Sequence, residues 1–132
     1  MILVDTSVWI ELLRRKPRQP VREEDLLRFA TCAPVVQEVL QGLRPGIESS
    51  AFREAFLALP VLSDPLPLGV FLSASDIFRE GRRRGITIRS SVDCLIAAVA
   101  IENCVPVWHR DRDFDAIARY VGLEVAHPEG HR

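Results

Sequence analysis

Four acidic residues lie in positions where solvation alone does not explain them. Asp5 directly follows the apolar run Ile2–Val4, and Asp111 follows a second predicted strand. Glu38 is bounded by valines and a leucine, and Asp93 opens the most apolar helical segment of the chain. A carboxylate among apolar neighbours is costly unless it is paired, hydrogen-bonded or bound to a cation. These acids are therefore the residues most able to carry chemistry.

The chemistry that four converging acids predict is metal-assisted hydrolysis. Two like charges about 4 Å apart repel by roughly 4 kcal/mol at an effective dielectric of 20. The helix N-terminus offers Asp93 only about 0.3–1 kcal/mol, so the group needs a cation. Hard oxygen ligands select Mg²⁺ or Mn²⁺, which activate water and stabilise charge on phosphorus. In this interpretation Asp5 and Asp93 hold the ion, and Glu38 and Asp111 complete the acidic rim.

Each acid, taken singly, also has an ordinary structural interpretation. Asp5 is in a position to cap the helix that follows it. Asp93 is equally explained as a first-turn acid that the helix dipole stabilises. Asp111, Asp113 and Asp115 fit a solvated polar loop that leads into a helix, and Asp115 fits it best. What favours a shared site is that all the predicted positions face one edge of the fold.

Short apolar strands alternate with helical patterns along the chain. This alternation predicts an α/β fold with a short central parallel sheet that helices cover on both faces. Ligands of such sheets gather outside the carboxyl ends of the strands. We expect a single domain over residues 1–126, a loose tail over 127–132 and a loop over 14–20. The predicted strands cover residues 2–4, 61–62, 105–108 and 123–126, and predicted helices include 23–29, 34–43, 49–59, 70–84, 92–102 and 114–121.

The composition is that of an ordinary folded domain. The chain has 132 residues, 48% of them hydrophobic and 27% charged, with a net charge of −1. These values argue against disorder and against a strongly basic nucleic-acid-coating arm. No apolar run approaches the length of a membrane span. Three cysteines without a pairing pattern indicate small core residues in a reducing compartment, so we expect a cytoplasmic protein.

Four blocks of the sequence together resemble a PIN domain, most closely a VapC-type toxin ribonuclease. They are MILVDTSVWI at residues 1–10, VQEVLQG at 36–42, SVDCLIA at 91–97 and WHRDRDF at 108–114. The blocks occur in the family's order, and the similarity extends from residue 2 to about residue 126. The first and last blocks are the most specific.

The resemblance implies a three-layer α/β/α fold and a Mg²⁺- or Mn²⁺-dependent endoribonuclease that acts on RNA. It also implies inhibition by a cognate antitoxin, and homodimerisation. Either Asp111 or Asp113 can supply the last acid of the family's pattern. Thr6 or Ser7 resembles the family's hydroxyl beside the first acid, whereas His109 stands where the family often has Thr or Ser. Carried across by motif, the catalytic and metal-binding residues are Asp5, Glu38, Asp93 and Asp111, with Asp113 as the further candidate ligand.

RNA must approach an acidic pocket with the help of nearby positive charge. A compact basic run ends one predicted helix, and two arginines flank Asp111. The run is explained equally well as a complement to the helix dipole. Trp9 and Trp108 have apolar neighbours, which favours core packing over base stacking. The candidates for RNA contact are Arg82, Arg83, Arg84, Arg110 and Arg112.

Two other functions are compatible with an Asp at the end of the first strand. An aspartyl-phosphate phosphatase needs a second Asp two residues later, where this chain has Ser7. A receiver-like module needs a Lys late in the chain, and the only lysine is Lys16. A catalytically inactive PIN-like binding module is the third interpretation, and the presence of all four acids argues against it.

Overall fold

A parallel sheet of four short strands forms the centre of the molecule. The structure, a computed structural model, describes residues 1–14 and 23–127. The strands follow the order β2-β1-β3-β4, and every neighbouring pair is parallel. All four strands are short, and the side chains of the first three are buried. The strands are β1 (Ile2–Val4), β2 (Phe29–Ala30), β3 (Val107–Trp108) and β4 (Val125–Ala126).

Helices connect the strands and cover the sheet. Strand β2 lies on one side of β1, and β3 and β4 lie on the other. Because crossovers between parallel strands are right-handed, connections that lead in opposite directions place their helices on opposite faces of the sheet. This is the predicted three-layer α/β/α arrangement. Within the described residues the helices are α1 (Thr6–Leu12), α2 (Glu23–Leu26), α3 (Ala33–Gln41), α4 (Ile47–Leu57), α5 (Leu68–Arg83), α6 (Ser91–Glu102) and α7 (Arg112–Ala118).

The pairing of β1 with β3 sets the position of the functional edge. Leu3 pairs with Ala30 of β2 on one side and with Val107 of β3 on the other. The Asp5 backbone N–H donates to the Trp108 carbonyl over 2.9 Å, which extends the ladder to the strand ends. The chain leaves β1 and β3 in opposite directions across the sheet. Such a switch point opens a crevice at the carboxyl edge.

Strand β2 corrects one sequence prediction. The helix predicted over residues 23–29 ends at Leu26, and Phe29 belongs to a strand. Phe29 is buried and its ring lies edge-on to that of Trp9, with 5.9 Å between centroids. A two-residue strand has no periodicity to detect, so tertiary burial decides its conformation. The strand predicted at 61–62 is reduced to one bridge between Val61 and Thr31. The predicted loop at 14–20 and tail at 127–132 lie almost entirely outside the described residues.

The cysteine prediction is correct for two residues and wrong for the third. Cys32 and Cys94 are buried, whereas Cys104 is exposed. Cys104 has a φ of +54° in the turn that follows α6, so the geometry of that turn and not the core determines its place. Both tryptophans are buried, which confirms core packing over an exposed stacking surface.

Helix α6 is the buried centre of the helical layers. Seven of its twelve residues are buried, as its continuous apolar sequence predicts. It packs mainly on α5, and also on α3 and α7. Over residues 1–14 and 23–127, no helix has both the length and the apolar character needed to cross a membrane.

Close packing at Gly81 of α5 gives a test of the fold. A Cβ atom at this position would lie 2.6 Å from the Tyr120 hydroxyl, which donates to the Ile77 carbonyl. We expect Gly81→Ala to lower the free energy of unfolding by about 1–3 kcal/mol, because overpacking forces side chains to shift. The measurement is equilibrium denaturation by urea.

Gly69 provides the matched control in the same helix. A Cβ there would meet no atom within 4 Å. Gly69→Ala should therefore leave stability unchanged or raise it by up to about 1 kcal/mol. Equal stability of the two variants would contradict the packing assigned to Gly81, and Tyr120→Phe should restore part of the loss in Gly81→Ala.

Candidate active site

Asp5 is fixed at the carboxyl end of β1 by its own neighbours. It is the N-cap of α1, and its Oδ2 accepts hydrogen bonds from the Ser7 N–H at 3.0 Å and from the Ser7 hydroxyl. Ser7 Oγ also accepts the Arg110 N–H at 2.9 Å. The hydroxyl thus ties the start of α1 to the segment after β3. The capping interpretation is correct, and it orients the carboxylate instead of excluding a function for it.

Three further carboxylates meet at the same edge. Oxygen atoms of Asp93, Asp111 and Asp113 all lie within 4.8 Å of one another. We call these three residues the acidic cluster. Asp93 comes from the first turn of α6, and the other two come from the start of α7. The sequence left Asp111 and Asp113 as alternatives, whereas the structure brings both to the cluster.

Main-chain N–H groups hold the two α7 acids. Asp111 caps α7, and its Oδ1 accepts the Asp113 N–H at 2.9 Å. Asp113 is buried, and its Oδ2 accepts the N–H groups of Arg89 and Ser90, each at 3.1 Å. Asp113 therefore joins the loop before α6 to the start of α7. Asp113 and Ser90 are 23 residues apart in the sequence, so local sequence patterns could not predict that Asp113 joins these two segments.

Asp93 is the least satisfied member of the cluster. Its side chain is 7% exposed, and its Oδ2 is buried without a hydrogen-bond partner among the described residues. Burial raises the pKa of the Asp93 carboxyl from 3.8 to about 9, and the adjacent Asp113 carboxyl and the charge of Asp111 act in the same direction. Burial also raises the pKa of Asp5, and the charge of Asp111 adds to that rise. The site therefore holds more negative charge than its surroundings can solvate.

Glu38 lies beside Asp5 and outside the acidic cluster. It is half-buried on α3, and its Oε1 accepts the Thr6 hydroxyl at 2.9 Å. Burial raises the pKa of Cys32 to about 12, and the charges of Asp5 and Glu38 add to the rise, which places both acids near this thiol. The two hydroxyls after Asp5 thus have separate partners. The Ser7 hydroxyl donates to Asp5, and the Thr6 hydroxyl donates to Glu38.

His109 supports the main chain at Asp111 through its ring. Its buried ring accepts the Asp111 N–H on Nδ1 at 3.1 Å, and its Nε2 lies 3.2 Å from an oxygen of Asp115. Burial lowers the pKa of His109, so the neutral imidazole is the favoured form. The ring thereby supports the main chain at Asp111, at a position where the family often has Thr or Ser.

Four of the five predicted RNA-contact arginines have other partners in this structure. Arg83 and Arg84 both pair with Glu80, and the Arg82 guanidinium lies over the Phe78 ring at 5.6 Å. The Arg110 guanidinium donates to Glu11 at 2.7 Å and lies over Trp108. The basic run thus lies in the last turn of α5, where its charges complement the helix dipole. Arg112 is exposed at the start of α7.

Sequence reasoning missed Arg89. Its guanidinium lies 3.3 Å from Asp111 Oδ1 and 3.6 Å from Asp113 Oδ1. One signal was available, because residue 89 directly precedes the serines that open the Asp93 helix. A residue at that position must lie at the same sheet edge as Asp93.

The donor set of the acidic cluster suits a hard divalent cation. The three carboxylates, whose oxygens lie within 4.8 Å of one another, offer oxygen donors alone. Asp93 also has a buried oxygen, Oδ2, that has no hydrogen-bond partner among the described residues. Oxygen-only sites favour Mg²⁺, Ca²⁺ or Mn²⁺ over Zn²⁺ or copper. The residues present therefore fit a divalent metal centre.

Comparison with known proteins agrees with this geometry. The family model for the PIN domain matches residues 2–120. VapC ribonuclease Mb1587 of Mycobacterium bovis and ribonuclease VapC11 of Mycobacterium tuberculosis are each 38% identical over 132 residues, covering 96% of this chain and 98% of theirs. The structure of VapBC-5 from Mycobacterium tuberculosis, described as a member of the VapBC family of toxin-antitoxin systems, superposes with a TM-score of 0.67 at 21% identity. The superposition covers 95% of this chain and 96% of the VapBC-5 chain. This chain therefore belongs to the PIN-domain family, among the relatives of the VapC ribonucleases.

Proposed function

We propose that this protein is a divalent-metal-dependent endoribonuclease and the toxin of a toxin–antitoxin pair. The observation that carries the proposal is the meeting of Asp93, Asp111 and Asp113 within 4.8 Å, with one buried Asp93 oxygen lacking a partner. The VapC relatives are named ribonucleases, which supports RNA as the substrate. Family membership and the acidic cluster together argue against the phosphatase, receiver-like and inactive-module alternatives.

The arrangement assigns a role to each acid. Asp93, Asp111 and Asp113 would hold Mg²⁺ or Mn²⁺, and Asp5 would complete the ligand set directly or through water. The bound ion acidifies water and neutralises charge that develops on the scissile phosphate. Glu38, with one oxygen occupied by Thr6, would accept a hydrogen bond from the attacking water. The water oxygen would bond to phosphorus in line with the leaving oxygen, whose bond to phosphorus would break. The proton that the water loses would pass to Glu38, and the leaving oxygen would take up a proton from solvent.

The first prediction concerns Asp93. Asp93→Asn keeps the size of the side chain but removes one charged ligand, so cleavage of single-stranded RNA should fall by at least about 100-fold, of the order seen when metal-site residues are altered. The measurement is cleavage with Mg²⁺, with Mn²⁺ and with EDTA. Asp76→Asn, an exposed acid on α5, is the matched control and should retain full activity. Cleavage that is indifferent to EDTA, or full activity of Asp93→Asn, would refute the mechanism.

The second prediction concerns stability and pH in the absence of metal. The pKa of Asp93 is about 9 in the folded protein and near 3.8 when unfolded. A raised folded-state pKa stabilises the protein fully below the unfolded value, and this contribution is lost as pH rises through the folded value. The raised pKa of Asp5 acts in the same direction. Wild-type stability should therefore fall between about pH 5 and about pH 9 in EDTA.

Asp93→Asn isolates this effect. The variant cannot ionise at position 93, so its melting temperature in EDTA should rise relative to wild type as the pH increases. Mg²⁺ or Mn²⁺ should raise the melting temperature of wild type at alkaline pH by several degrees, and that of the variant by less. A difference between the two proteins that is the same at every pH would contradict the burial assigned to this carboxyl.

The third prediction concerns the partner. A nuclease that acts on cellular RNA needs its acidic pocket blocked, and a basic side chain of the partner complements that pocket. VapBC-5 is described as a toxin-antitoxin system, which supports a cognate antitoxin here. A small reading frame beside this gene, when co-expressed, should yield a complex whose RNA cleavage is suppressed. Free cleavage by the purified complex would contradict this assignment. Homodimerisation stays a prediction of the family resemblance.

A further inference from the structure

Arg89 lies at the opening of the acidic cluster with its guanidinium against two of the acids. The distances are 3.3 Å to Asp111 Oδ1 and 3.6 Å to Asp113 Oδ1. The Arg89 side chain is 55% exposed, whereas that of Asp113 is 4% exposed. The backbone N–H of Arg89 binds Asp113 independently of the side chain. The guanidinium is therefore free to leave without loosening the main chain that positions Asp113.

The present partners of Arg89 are carboxylates of the candidate metal centre. Asp111 Oδ1 accepts Arg89 Nη2, and the same carboxylate belongs to the candidate metal centre. A guanidinium and a divalent cation repel each other and compete for these oxygens. Arginine on a flexible stem also binds a phosphate with two parallel hydrogen bonds. The Arg89 side chain can therefore bind first the carboxylates and then a phosphate.

We propose that Arg89 is a positioning residue that exchanges partners during the catalytic cycle. In the metal-free protein it neutralises Asp111 and Asp113. When a divalent ion occupies the acidic cluster, the guanidinium turns toward solvent and binds a phosphodiester of the RNA strand. The inference rests on the proposed nuclease function and adds to it a residue that holds the substrate. Of the two arginines that flank Asp111, Arg110 is committed to Glu11, and Arg112 is exposed at the start of α7.

The exchange predicts effects of opposite sign on metal and on RNA. Arg89→Ala removes a competing cation, so Mn²⁺ should bind more tightly, by about 3- to 10-fold for one charge at this distance. The same variant loses a phosphate contact, so the KM for single-stranded RNA should rise by about 10-fold with kcat nearly unchanged. A purely structural role would weaken both kinds of binding.

The experiment compares wild type with Arg89→Ala, Arg89→Lys and the control Arg53→Ala. Arg53 is exposed on α4 and is not among the candidate RNA contacts, so its removal deletes the same charge from another part of the surface. Mn²⁺ affinity is measured by calorimetry without RNA, and cleavage kinetics are measured at saturating Mn²⁺. Binding of labelled RNA is measured by fluorescence anisotropy in Ca²⁺ at several salt concentrations. For Arg89→Ala, the slope of the logarithm of RNA affinity against the logarithm of salt concentration should be shallower by about 0.7. This is the change expected for one lost phosphate contact on a single strand.

Arg89→Lys keeps the charge without the planar fork and should lie between wild type and Arg89→Ala in both affinities. Weaker Mn²⁺ binding by Arg89→Ala, or RNA affinity and salt slope equal to those of Arg53→Ala, would overturn the exchange. Failure of the nuclease assignment gives a different result, because wild type itself would then leave RNA intact. In that case the Mn²⁺ titration and the anisotropy still decide whether Arg89 serves both partners.

Discussion

Repulsion among buried carboxylates is the constraint on which the rest of this site depends. At an effective dielectric of 20, one pair of charges about 4 Å apart costs roughly 4 kcal/mol. A side-chain helix cap contributes about 1 kcal/mol, and the helix dipole adds about 0.3–1 kcal/mol. Caps and dipoles therefore cannot keep Asp93, Asp111 and Asp113 ionised together. Protonation of Asp93, the Arg89 guanidinium or a bound cation must supply the balance.

The fold maintains this unfavourable grouping through short links between segments that are distant in sequence. Ser7 joins Asp5 to the Arg110 N–H across 103 residues, and Asp113 joins the start of α7 to the loop before α6. Each link is anchored to main-chain N–H groups, which cannot rotate away as side chains do. The acids are thus held by elements whose stability comes from the apolar core. Metal-free folding then depends on burial elsewhere offsetting the electrostatic cost at the sheet edge.

The site residues that could be predicted from the sequence are those that directly follow a strand or begin a helix. Asp5 and Asp111 follow strands, and Asp93 opens a helix, so topology alone sends them to one edge. Arg89 lies in a loop, and Phe29 lies in a strand of two residues, where no periodic pattern exists to detect. Asp113 was named as a candidate ligand, but its contact with the Ser90 N–H depends on a segment 23 residues away. Local sequence rules describe elements and their ends, whereas these features arise from the packing between elements.

Helix capping is compatible with the metal binding that we propose for the same carboxylates. Asp5 Oδ2 and Asp111 Oδ1 accept N–H groups of the helices that they begin. These bonds fix the plane of each carboxylate, which limits the rearrangement needed when a cation binds. Among the described residues Asp93 has no such bond on its buried Oδ2, and burial raises its pKa to about 9. Two acids are therefore held in place by the helices that they begin, whereas Asp93, the acid short of partners, is the one whose ionisation a bound cation would favour most.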